Sequence, residues 1–76
     1  MTSIQAVRSR IIDLCEEQKI TYYTLAYRAA IPKSTILIII HGTNPTISTI
    51  CMISSGFGLT VSDFFQADYF RICEDD

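Results

Sequence analysis

Few residues in this chain could act as nucleophiles, bases or metal ligands, and those few are scattered. Three cysteines, Cys15, Cys51 and Cys73, occur without a CxxC pair, and the single histidine, His41, stands apart from them. Metal sites draw on clusters of Cys and His, and an odd number of cysteines gives no disulfide framework. Neither is expected here. Cys15 and Cys51 fall instead at core-facing helical positions, where a free thiol behaves as a small hydrophobe. There is no Ser/His/Asp set, no convincing Cys/His pair and no glycine-rich phosphate loop. Asp13, Glu16 and Glu17 share a helix and read as its hydrated face. The residues therefore predict no enzyme, no cofactor, no metal and no evident small-molecule substrate.

What remains is recognition chemistry. Lys33, Ser34 and Thr35 put a cation and two hydroxyls at the start of a helix, directly after Pro32. A helix start also offers free N–H groups and partial positive charge, a combination suited to anions. The elements that position these residues follow from apolar spacing, which is helical throughout. Thr2 or Ser3 can cap a first helix carrying Ile4, Val7, Ile11 and Leu14 as one buried stripe, ending near Gln18. Thr21 caps a second helix, with Tyr22, Leu25, Ala26 and Ala29 on one face. Ile31 precedes a proline and marks a break, and Pro32 suits the first turn of a third helix, about 32–41, that stops at Gly42. Thr46 can cap a fourth helix with Ile47, Ile50, Cys51, Ile53 and Phe57 inward, ended by Gly58. Thr60 or Ser62 starts a short fifth helix with Val61, Phe64 and Phe65. Tyr69, Phe70 and Ile72 are candidates to dock on the core, and Glu74-Asp75-Asp76 is a solvated end.

The bulk composition agrees. With 76 residues the chain is one domain, and 49% apolar against 18% charged residues argues against disorder. No run approaches the ~20 apolar residues of a membrane span, and no signal peptide is evident, so the expected location is the cytoplasm. Residues 1–66 form the expected domain, and 67–76 a short acidic C-terminal tail. The net charge is −2, unfavourable for a nucleic-acid binder, but its distribution is uneven. Residues 1–61 carry Arg8, Arg10, Lys19, Arg28 and Lys33 against Asp13, Glu16 and Glu17, a balance of +2; residues 62–76 carry Arg71 against Asp63, Asp68, Glu74, Asp75 and Asp76, a balance of −4.

The expected fold is all-α, a compact five-helix bundle. Its informative segment is Tyr22 to Gly42, two short helices separated by a short break. Ala26 lets the second helix cross closely and Ile36, ten positions later, packs against it, which is helix-turn-helix spacing. A steep crossing leaves the later helix protruding, able to enter a DNA major groove.

In these segments the chain resembles the Cro and repressor (Xre) family. The resemblance covers roughly residues 4–66. It is carried by Arg10 to Cys15, by Thr21 to Ala26, by Ile31-Pro32-Lys33-Ser34-Thr35-Ile36 and by His41-Gly42-Thr43-Asn44-Pro45-Thr46. Thr49 to Ile53, Phe57 to Val61 and Asp63-Phe64-Phe65 complete it. The resemblance implies a lambda-repressor-like domain that binds double-stranded DNA. Lys33 and Ser34 would meet base edges first, and Ile38, with Leu37 beside it, would follow one turn later. Thr35 would lie near phosphates, Thr21 and Tyr22 would direct the second-helix start at a phosphate, and Thr43 and Asn44 would touch the same backbone. Arg28 and Arg10 are candidates either for backbone contact or for local ion pairing.

There are departures. Ala30 stands at a turn position where the family usually has glycine. Ile36-Leu37-Ile38-Ile39-Ile40 is apolar on every face, although only Ile36 and Ile39 are needed by the core. Ile40 stands where many relatives have a glutamate that pairs with the arginine at Arg10, and Met52 stands at a common lysine position. Two functions follow. One is a sequence-specific, repressor-like transcriptional regulator, acting as a homodimer through some of Leu59, Phe64, Tyr69 and Phe70. The alternative is a helix-turn-helix domain used for protein–protein association through Leu37, Ile38 and Ile40.

Overall fold

Threonines set most of the helix starts. The computed structural model describes residues 1–74 and contains α1 (Ser3–Gln18), α2 (Tyr22–Ala29), α3 (Lys33–Ile40), α4 (Ile47–Gly56) and α5 (Val61–Phe64), then a 3-10 turn over Asp68–Ile72. No strand occurs among the described residues. Thr2, Thr21, Thr46 and Thr60 cap α1, α2, α4 and α5, each hydroxyl accepting the N–H three residues ahead. Thr2 completes a capping box by donating its own N–H to Gln5 Oε1 at 2.9 Å. Each such cap is worth about 1 kcal/mol. Pro32 sits one position earlier than its sequence suggests: it is the N-cap of α3, in an extended conformation (ψ 145°), and no side chain caps that helix.

The helix ends are equally local. α1 to α4 all close with paired backbone bonds running back to the last turn. In α2 the Ile31 N–H reaches the Ala26 carbonyl at 3.1 Å and the Ala30 N–H reaches Tyr27 at 3.2 Å. This ending needs one left-handed residue. Gly42 (φ 108°) and Gly58 (φ 74°) supply it for α3 and α4, but Lys19 (φ 56°) and Ala30 (φ 58°) supply it for α1 and α2. Ala30 thus takes the conformation that glycine adopts freely.

The core gathers Val7, Ile11, Leu14 and Cys15 from α1, Leu25 and Ala26 from α2, Ile36 and Ile39 from α3, Ile50, Ile53 and Phe57 from α4 and its C-terminal end, and Phe64 from α5. In α4 the buried face is Ile50, Ile53, Ser54 and Gly56. Cys51, one residue from Ile50 and so rotated about 100° around the helix, is exposed and not core-facing. Ile47, in the first turn, is 69% exposed and does not face inward. The buried Ser54 hydroxyl is satisfied by the Ile50 carbonyl at 2.8 Å. α2 and α4 pack tightly at Gly56, where an added methyl would stand 3.0 Å from the Ala29 Cβ and backbone nitrogen.

The chain beyond α5 is tied down. Phe64, Phe65, Phe70 and Tyr69 form edge-on and tilted ring contacts with centroids 4.8–6.2 Å apart. The Tyr69 hydroxyl donates to Asp13 Oδ2 at 3.1 Å, so Asp13 is more than a hydrated surface group. The Glu74 N–H donates to the Met1 carbonyl at 2.9 Å. Ile72 does not dock on the core; it is exposed. Asp75 and Asp76, grouped with Glu74 as a solvated end by sequence, lie outside the described residues. No helix among the described residues is long and apolar enough to cross a membrane.

Candidate nucleic-acid interface

The α2–α3 pair is built to leave one face of α3 free. Ile36 and Ile39 are buried, and Ala26 beneath them is buried too. A helix anchored by two residues three apart turns the opposite side outward. Lys33 and Ser34 are exposed in its first turn, Thr35 and Leu37 are half-buried, and Ile38 is 50% exposed. Ile40, which by sequence belongs to an exposed apolar strip, is half-buried and packs against the core. The strip therefore narrows to Ile38 with the edge of Leu37.

Flanking groups surround this face. Thr43 and Asn44 are exposed in the loop after α3, and the Thr43 N–H is held by the Ile38 carbonyl at 2.9 Å. At the start of α2 the Thr21 hydroxyl is occupied as a cap, accepting from the Thr24 N–H and donating to the Thr24 hydroxyl, both at 3.1 Å. Tyr22 is half-buried and packs on the core, whereas Tyr23 is exposed. Arg28 is exposed in the last turn of α2. The side chains of Arg28 and Lys33 have no partner among the described residues.

Arg10 is placed differently. Its Nε donates to the Phe64 carbonyl at 2.6 Å and its Nη2 to the Asp63 carbonyl at 2.8 Å. Ile40 offers it no carboxylate, and the guanidinium instead satisfies carbonyls at the end of α5, a favourable site for a cation. Arg10 thus makes no ion pair among the described residues and is not free for backbone contact. Phe64 is also withdrawn from the candidate dimer contacts, being fully buried in its own chain.

Two further features were not singled out from the sequence. From Gln18 to Ser62 the chain has no Asp or Glu, so every carboxylate lies outside α2, the turn, α3 and α4. Tyr27, 81% exposed, stands one turn after Tyr23 on α2. The i,i+4 spacing of the two tyrosines was the available signal.

This architecture has counterparts. Residues 10–68 match the Cro/C1-type HTH DNA-binding domain family. The chain belongs to that family. A solved structure of a prophage Lp1 protein, protein 11, superposes with a TM-score of 0.80 at 27% identity, over 92% of this chain and 96% of that one. A comparison with curated protein sequences finds no match. As a Cro/C1-type domain the chain is a DNA-binding helix-turn-helix protein. In its sequence, Ala30 replaces the glycine usual at the turn and adopts the left-handed geometry regardless.

Proposed function

We propose that this protein is a sequence-specific regulator of transcription, repressor-like, that reads double-stranded DNA as a cytoplasmic homodimer with α3 in the major groove. The observation that carries this reading is the exposed face of the α2–α3 pair, neither helix of which carries a carboxylate. A major groove about 12 Å wide admits one helix, and α3 meets it with Lys33 and Ser34 first and Ile38 one turn later. Lys33 and Ser34 supply hydrogen-bond donors to base edges. Ile38 has none and suits a thymine methyl. Thr21, Tyr22, Arg28, Thr35, Thr43 and Asn44 surround these positions and serve the sugar–phosphate backbone, which fixes register without specifying sequence. Leu37, half-buried at the edge, packs beside Ile38. A dimer pairs two such helices on half-sites one helical turn apart, with Leu59, Tyr69 and Phe70 the remaining candidate contacts.

The test is selection of bound duplexes from a random library at low salt, followed by affinity and sedimentation measurements on the winners. A recovered two-fold motif bound by a dimer, with affinity falling steeply as salt rises, supports the proposal. Failure to retain any duplex at low salt overturns it. Association through the α3 face is the competing outcome. It requires an oligomer that dissolves on Ile38→Asn, and the packing of Ile40 against the core leaves little apolar surface for it.

A further inference from the structure

The outer face of α2 carries two large side chains that the fold does not use. Tyr23 and Tyr27 are 67% and 81% exposed, one helical turn apart. With Ala26, Ile31 and Lys33 they line a concavity of about 210 Å³ where α2 meets the start of α3. This is below the ~300 Å³ at which small-molecule sites begin, so it suits the flank of a larger partner. Lys33 belongs both to this concavity and to the exposed first turn of α3, so the two surfaces are continuous. No carboxylate lines the concavity to oppose an anion there.

We infer that Tyr23 and Tyr27, beside Lys33, form a clamp for the DNA sugar–phosphate backbone next to the bases that α3 reads. The inference rests on the proposed DNA-binding function and extends its contact surface. Each phenol supplies a hydroxyl donor for a phosphate oxygen and an apolar ring edge for a deoxyribose. Lys33 adds the charge. Two tyrosines side by side have the reach to follow consecutive backbone units, and being neutral they release no counterions.

That last property makes the clamp testable. Both side chains are largely exposed, so Tyr23→Phe, Tyr27→Phe and the double alanine variant should keep the melting temperature of the parent. On a duplex that the parent binds, each phenylalanine variant should weaken binding several-fold and the double alanine variant roughly tenfold or more, as expected for lost hydrogen bonds to charged groups. The slope of log affinity against log salt should stay that of the parent, whereas Lys33→Ala should lower it by about one. Hydroxyl-radical footprints of the double variant should lose protection at flanking sugars and keep it in the centre of the half-site. Parent-like affinity and footprint in the double alanine variant overturn the clamp and leave the DNA-binding function standing. Loss of self-association with unchanged intrinsic DNA contacts also overturns it, assigning the face to protein. If the parent binds no duplex, both the clamp and the function it rests on fall.

Discussion

Ala30 shows how one residue can carry strain that the surrounding elements impose. Its φ of 58° is dictated by the closing bonds of α2, which require a left-handed residue between Ala26 and Pro32. The left-handed region costs a residue with a Cβ about 1–2 kcal/mol, and glycine returns part of that gain through its freer unfolded chain. Ala30→Gly should therefore raise stability by about 0.5–1 kcal/mol, seen as a melting temperature several degrees higher in a domain of this size. Tyr69 is a second residue whose environment sets its chemistry. Burial, and then the hydrogen bond and negative charge of Asp13, push its phenol up to about 12 from 10, with Arg10 acting in the opposite direction. The folded state therefore holds the proton more tightly than the unfolded state. This contribution to stability is complete below pH 10 and is lost as pH rises toward 12. Ultraviolet titration of the phenols should show one late-titrating tyrosine in the parent, and Asp13→Asn should bring it earlier.

Between elements, the tightest constraint is the crossing of α2 and α4. Gly56 lies in the last turn of α4, where alanine would be favoured by about 1 kcal/mol on helix propensity alone. The methyl, however, would meet the Ala29 backbone and Cβ at 3.0 Å, with no flexible side chain to give way. Overpacking of this kind costs about 1–3 kcal/mol, so it should outweigh propensity. Gly56→Ala is expected to lower the denaturation midpoint, and an unchanged or raised midpoint would show that the helices separate easily. The same scale explains Arg10. Its guanidinium reaches across the bundle to the Asp63 and Phe64 carbonyls and clasps α1 to α5.

For the whole molecule, the distribution of charge matters more than its sum. A chain of net charge −2 would repel DNA if its charges were mixed evenly. Here the carboxylates lie in α1, at α5 and after it, while α2, α3, α4 and their connections carry Lys19, Arg28 and Lys33 and no acidic residue. Arg28→Ala should weaken binding to all duplexes alike, Lys33→Ala should also relax the preference at the bases it meets, and each should reduce the salt dependence by about one counterion. Binding whose salt dependence is untouched by both changes would place the interface elsewhere.

The five helices and their limits were legible because the signals are local. A threonine cap bonds three residues ahead, a glycine or proline acts on its own backbone, and an apolar stripe repeats within one helix. The break before Pro32 was legible for the same reason, whereas the place of Ala30 in the turn came from the family resemblance. Position around a helix relative to its neighbours was not. Ile47 and Cys51 fit an apolar pattern as well as Ile50 does, but only the packing of α4 against α2 and α5 decides which of them meets the core. The roles of Arg10 and Asp13 depend on Asp63, Phe64 and Tyr69, more than fifty residues away, and no spacing rule reaches that far. That Tyr23 and Tyr27 share a concavity with Lys33 was likewise decided by how α2 and α3 pack. Sequence by itself determined which elements form and where they stop, because those choices are made within a few residues. Which faces remain free for DNA was decided by tertiary structure, because a free face is whatever distant elements leave uncovered.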